Sequence, residues 1–148
     1  MKFTRRHTLL LASGAVALGA TVAFALPAGA AVVDQSPPAP VLKLGATANL
    51  QANGAVVFVP VKVTCQPGAS AYLSVTVTEN VGGGFIASGS GSTDSLTCTG
   101  HSQTVNEAVV PTQRAFAKGV AFAQTQMSVC GSVDCARASD QRVIQIVK

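Results

Sequence analysis

The chain has 148 residues, 48% of them hydrophobic and only 11% charged, which allows one domain and excludes a charge-rich disordered tail or a heptad coiled coil. It has no Trp, one Tyr and six Phe, so its apolar content is mostly Ala and Val, residues better suited to strands than to thick helical cores. The formal charge of +4 is concentrated at the start: Lys2, Arg5 and Arg6 lie there, all six acids lie at Asp34 or beyond, and from Ala31 onward seven bases meet six acids. No basic run remains to attract nucleic acid.

Residues 1–30 read as a secretory signal. A positive start is followed by an uncharged stretch from Leu9 to Leu26 and by Ala28-Gly29-Ala30, a small-x-small cleavage site. Cleavage after Ala30 is expected to release a chain with no membrane attachment. The alternative is an uncleaved anchor, since the apolar stretch nearly spans a bilayer; Pro27 and the Ala/Gly-rich composition favour cleavage. Every Cys lies at position 65 or later, so there is no lipobox. Thr4-Arg5-Arg6 leaves general and twin-arginine export both open.

Residues 31–40 (AVVDQSPPAP) form a Pro-rich extended lead-in, and the domain is expected over 41–148. Asn53-Gly54 is a hairpin turn between 41–51 and 55–65. In 55–65 the odd positions Ala55, Val57, Val59, Val61, Val63 and Cys65 alternate with an outer face carrying Val56, Phe58, Lys62 and Thr64. Pro60 marks an edge or a bulge. After Pro67-Gly68, Ala71, Leu73, Val75 and Val77 alternate with Tyr72, Ser74, Thr76 and Thr78. A loop is expected at Val81–Gly84, a short strand at Phe85–Ala87 and a second exposed loop at Gly89–Ser92. Strands follow at 94–99 and 103–110, with one helical turn at 112–118. The long strand 119–130 buries either Val120 and Phe122 or Ala121, Ala123, Met127 and Val129, with a mid-strand bulge reconciling the two. Residues 142–147 close the chain. About seven short strands joined by Gly, Pro and Asn turns predict an all-β, immunoglobulin-like β-sandwich.

Cys65, Cys98, Cys130 and Cys135 are an even set in a short exported chain and read as two disulfides. Of the three connectivities, Cys65–Cys98 with Cys130–Cys135 is favoured, because Gly131-Ser132-Val133-Asp134 is a turn-like insert. A zinc site is not expected, since only one pair is close and its spacing is not Cys-x2-Cys.

Catalytic patterns are weak. His101 in Thr99-Gly100-His101-Ser102 reads as an exposed turn residue. Asp94 and Glu107 are near it in sequence, but no Gly-x-Ser-x-Gly elbow exists. Asp34, Glu79, Asp94, Glu107, Asp134 and Asp140 are scattered and read as solvated charges rather than as a carboxylate pair or a calcium loop. No enzyme activity, cofactor or metal is expected. A binding patch is expected where Val56 and Phe58 face outward beside Tyr72 on a neighbouring strand.

Val61-Lys62-Val63-Thr64-Cys65, Ser74-Val75-Thr76-Val77-Thr78, Ala87-Ser88-Gly89-Ser90-Gly91 and Leu96-Thr97-Cys98 resemble a family of small exported actinobacterial proteins without assigned activity, over most of the chain after the leader. Val133-Asp134-Cys135, Ser139-Asp140 and the Cys130/Cys135 spacing resemble neocarzinostatin-type apoproteins. That second resemblance implies a chromophore carrier, with a cleft lined by Phe122, Met127 and neighbours. The long Cys65–Cys98 loop departs from that family, and its Phe- and Gly-rich cleft segment has no clear counterpart. The expected function is secreted, monomeric, non-enzymatic binding of a protein or surface partner, with no nucleic acid. The alternatives are a small-ligand carrier or a protease inhibitor presenting the Gly131–Asp134 loop.

Overall fold

A computed structural model describes residues 38–148. The signal segment 1–30 and most of the Pro-rich lead-in lie outside the described residues. The described part is all-β, with eight strands: β1 Val41–Leu44, β2 Thr47–Gln51, β3 Val56–Thr64, β4 Ser70–Asn80, β5 Ile86–Thr97, β6 Gln103–Pro111, β7 Gly119–Cys130 and β8 Cys135–Val147.

The strands do not form the expected immunoglobulin-like sandwich. Hydrogen bonding runs β3-β2-β8-β7-β4-β5-β6 and returns from β6 to β3, which closes a seven-stranded barrel; β1 is an extra strand on β3. The closure comes from β3, which uses both edges. One edge pairs with β6 from Val57 to Val63. The other pairs with β1 and then with β2. β2 in turn runs parallel to β8, so no gap separates two sheets. The seams are unequal. β7–β8, β4–β7 and β4–β5 are long ladders, whereas β5–β6 has only two residue pairs and β2–β8 only three. The ring therefore consists of a β2/β3/β6 wing, with β1 added on β3, and a β5/β4/β7/β8 wing, joined by the short seams β5–β6 and β2–β8.

The period-2 readings of β3 and β4 hold. Val57, Val59, Val61, Val63, Leu73, Val75 and Val77 are fully buried. In β7 the inward set is Ala121, Ala123, Thr125, Met127 and Val129, and the register against β4 and β8 is continuous. No bulge is needed, so Val120 and Phe122 face outward.

Pro60 sits in neither an edge strand nor a bulge. Its C=O accepts from the Gly45 N–H at 2.7 Å, and in a strand a residue's N–H and C=O point to the same edge. The missing N–H of Pro60 thus falls opposite the break between β1 and β2, where no ladder bond is lost. At that break, side chains replace the ladder. The Leu44 N–H donates to Asp140 Oδ2 at 2.8 Å and the Leu44 C=O accepts from Arg142 Nη1 at 2.9 Å. Two polar side chains of β8 thus bond the β1 backbone.

Three loop expectations change. The glycine-rich segment 89–92 is not an exposed loop but lies within the twelve-residue β5. A Cβ on Gly89 would collide with the Val110 carbonyl, and one on Gly91 with the Ala108 carbonyl. The glycines are therefore the places where the β6 backbone crosses closely over β5. Residues 112–118 form no helical turn: the segment is held by the Phe116 N–H donating to the Gly54 C=O at 3.0 Å, and the Phe116 ring is buried. The last strand starts at Cys135 rather than at 142.

Both disulfides have the favoured pairing. Cys65–Cys98 ties the end of β3 to the end of β5 and so joins the two wings. Its neighbourhood is knitted by Gly68 N–H donating to the Cys98 C=O and Cys98 N–H donating to the Ala69 C=O. Cys130–Cys135 closes the β7–β8 hairpin, inside which the Gly131 N–H donates to the Asp134 C=O. Disulfides persist in oxidising compartments. No helix among the described residues is long and apolar enough to cross a membrane.

Candidate functional site

The expected patch does not assemble. Phe58 and Val56 are on β3 and Tyr72 is on β4, but these strands share no ladder; they belong to different wings. Consecutive position in the chain stood in for adjacency in the sheet, and the β3–β4 connection crosses between wings instead of forming a hairpin. Phe58 and Val56 are half-buried. Phe58 pairs with Ala108 of β6 and Val56 with Gln51 of β2.

Tyr72 instead stands on the outer face of the β5/β4/β7/β8 wing, opposite Ser128 of β7, which is itself opposite Arg137 of β8. The next outward row across β5, β4, β7 and β8 is Ser92, Ser74, Gln126 and Ser139. The row after that is Ser90, Thr76, Gln124 and Gln141. The last is Ser88, Thr78, Phe122 and Val143. These three rows carry hydroxyls, amides and two apolar groups but no charge. Charges enter at the Tyr72 end, as Arg137 and the exposed Asp94. Tyr72, Phe122, Val120 and Val143 are all large and exposed. A concavity of about 590 Å³ lies over this face, lined by Tyr72, Ser74, Gln124, Gln126, Arg137 and Ser139 among others. The strand period explains the composition: one face of each strand fills the core with Val, Ala and Leu, which leaves the Ser/Thr/Gln set outside.

The cleft expected of a carrier is not formed by Phe122 and Met127. Phe122 is outward and 45% exposed, while Met127 is 1% exposed in the core; five residues apart in a strand, they face opposite sides. The Gly131–Asp134 turn protrudes, with Val133 88% exposed. Beside it, a groove of about 640 Å³ is lined by Pro38, Pro40 and that turn.

Two acids read as solvated are buried: Glu79 is 2% and Glu107 4% exposed. Alternation contains the signal, since Glu79 continues the inward series Ala71-Leu73-Val75-Val77 and Glu107 precedes the inward Val109. Glu107 accepts from Thr93 Oγ1 at 2.8 Å, across the widening between β5 and β6. Glu79 Oε2 accepts from the Ala117 N–H at 2.9 Å and so anchors the loop that carries Phe116. The two do not converge: Glu79 is level with Ala87 of β5, whereas Glu107 Oε1 lies beside Gly91 of the same strand. His101 is exposed, its N–H donating to Thr99 Oγ1, while Glu107 faces the core. Among the described residues no group of three His, Cys, Asp or Glu is placed to hold a metal ion.

Burial pushes the Glu79 carboxyl above its ordinary 4.5, and the Ala117 hydrogen bond only partly offsets this. A raised folded-state value means that the native chain binds more protons than the unfolded chain above pH 4.5. The Glu79 contribution is therefore greatest in acid and is lost as pH rises through the folded value. Glu79→Gln mimics the neutral acid. It is expected to match the parent's thermal midpoint at acidic pH and to equal or exceed it at neutral pH. A neutral-pH midpoint well below the parent's would show that the charged form is the stabilising one.

Set against known proteins, the chain matches no protein-family model and no curated sequence.

Proposed function

We propose that this protein is a secreted, non-enzymatic binding module whose contact surface is the outer face of the β5/β4/β7/β8 wing. The observation that carries the reading is the placement of Tyr72, Phe122, Val120 and Val143 on one outer face that carries charge only at its Tyr72 end, with Phe122 and Val143 directly paired. Exposed apolar groups that share a face mark interaction sites more often than scattered ones do. The long ladders beneath hold the face rigid, so little conformational entropy is lost on contact. Two disulfides suit an extracellular setting.

The test is binding of fluorescently labelled protein to the producing cells. Phe122→Ser with Val143→Ser is expected to abolish binding, and Phe58→Ser on the other wing is expected to retain it. Equal binding by all three proteins would remove the face from consideration.

A second reading rests on the disulfide-closed β7–β8 hairpin, whose Val133 protrudes on a turn pinned by the Gly131–Asp134 backbone bond. Such a loop has the rigidity a protease inhibitor needs. It requires slow, stoichiometric inhibition of a protease that prefers aliphatic side chains, lost in Val133→Asp.

A further inference from the structure

Within the proposed binding face, the geometry points to one class of ligand: a neutral oligosaccharide lying along β4 and β7 between Tyr72 and Phe122. This rests on the face being the contact surface and goes on to name what it takes. The two rows between these rings present Ser74, Gln126, Thr76 and Gln124 at their centre and no charge anywhere. Hydroxyls and primary amides both donate and accept, so they match the mixed donor and acceptor pattern of sugar hydroxyls. A polyanion or polycation would find no counter-charge along these rows, and a lipid surface would find apolar groups clustered only at the Phe122 end.

A protein partner is also a poor fit. The centres of protein interfaces are depleted in Ser and enriched in aromatic residues, Met and Arg, whereas here the centre is Ser, Thr and Gln and the aromatic rings stand at the two ends. Tyr72 and Phe122 have exposed rings whose apolar faces can cover the C–H face of a sugar ring, and the Tyr72 hydroxyl adds a polar tip. Phe122 is level with Thr78, six residues from Tyr72 along β4, so the rings are about 20 Å apart at strand rise. That span suits a short run of sugar units rather than one monosaccharide. The concavity of about 590 Å³ occupies the Tyr72 half of this path, where Arg137 also lines it.

The experiment is electrophoresis of the purified protein through native gels cast with soluble β-glucan, mannan or dextran, with polygalacturonate as the charged control. Retardation by at least one neutral polysaccharide is expected and none by polygalacturonate. Tyr72→Ala and Phe122→Ala should each weaken the interaction by about tenfold or more, which is the loss of one well-packed ring. Gln126→Glu keeps the fold and the shape but places a charge mid-path, and it should weaken binding too; Phe58→Ala should not. Retardation by polygalacturonate alone, or equal loss in Phe58→Ala, overturns the proposal.

A parallel measurement on the producing cells separates this inference from the reading beneath it. Periodate, which cleaves sugar diols, should abolish Tyr72-dependent cell binding, and protease treatment should not. Tyr72-dependent binding that protease destroys and periodate spares overturns the glycan assignment and leaves the face as a protein-binding surface. Cell binding indifferent to Tyr72 and Phe122 overturns both.

Discussion

Replacing Cys65 and Cys98 together by Ser is expected to lower the unfolding free energy by about 4 kcal/mol, the loop-entropy value for a separation of 33 residues. That is a large part of the stability of a domain of this size, which falls in the range of about 5–15 kcal/mol. The structural reason goes beyond loop length. The bond joins β3 to β5, and the wings they belong to otherwise meet along β5–β6, with two residue pairs, and β2–β8, with three. Both cysteines are buried, so the Ser pair also brings two hydroxyls into an apolar site. The matching Cys130→Ser with Cys135→Ser variant is expected to lose about 2 kcal/mol, because its loop spans 5 residues and the hairpin is already paired along the whole of β7–β8. Urea unfolding followed by far-ultraviolet circular dichroism measures both. Equal losses in the two variants would mean that the wings do not depend on the bond between them.

Gly91→Ala is expected to be severely damaging for a single methyl addition, costing about 3 kcal/mol or more. The new Cβ would meet the Ala108 carbonyl oxygen, and also Glu107 Oε1 at 3.0 Å. Backbone cannot rotate out of the way as a side chain can, so β5 and β6 must separate at the seam with only two pairs. Separation would also pull Thr93 from Glu107 and leave a buried carboxylate short of a donor. Gly131→Ala is the control: its nearest atom would be at 3.7 Å, ordinary contact, and the change should be close to neutral. The comparison is one of thermal midpoints. A Gly91→Ala midpoint within a degree or two of the parent's would mean that the β5–β6 crossing has room to relax.

These outcomes bear on how legible the fold was. Strand character could be read wherever one face is apolar, as in Val57–Val63 and Ala71–Val77. It could not be read in Ile86–Thr97. There the outward residues at its centre are Ser and the inward ones include Gly89 and Gly91, so composition resembles a loop although the backbone pairs with β4 along most of its length. The inward acids Glu79 and Glu107 were misassigned for a related reason: a buried carboxylate is costly unless bonded, and its donors, Ala117 and Thr93, are supplied by segments distant in sequence or by a turn whose path was unknown. The candidate site was half legible. Tyr72 was correctly outward, but its neighbours are Ser128 and Arg137 rather than Phe58.

By itself, the sequence determined the all-β character, the hairpin at Asn53-Gly54, the inward faces of β3 and β4, and the cysteine pairing. Each depends on period-2 alternation, a turn dipeptide or a short loop, and such information is local. Tertiary structure alone decided that the strands close into a barrel, that β3 and β4 lie in different wings, and that Tyr72 and Phe122 share one outer face. A strand's two edges are chemically alike, and every residue offers the same N–H and C=O whatever its side chain. Which edges meet is therefore settled only when the whole core is packed.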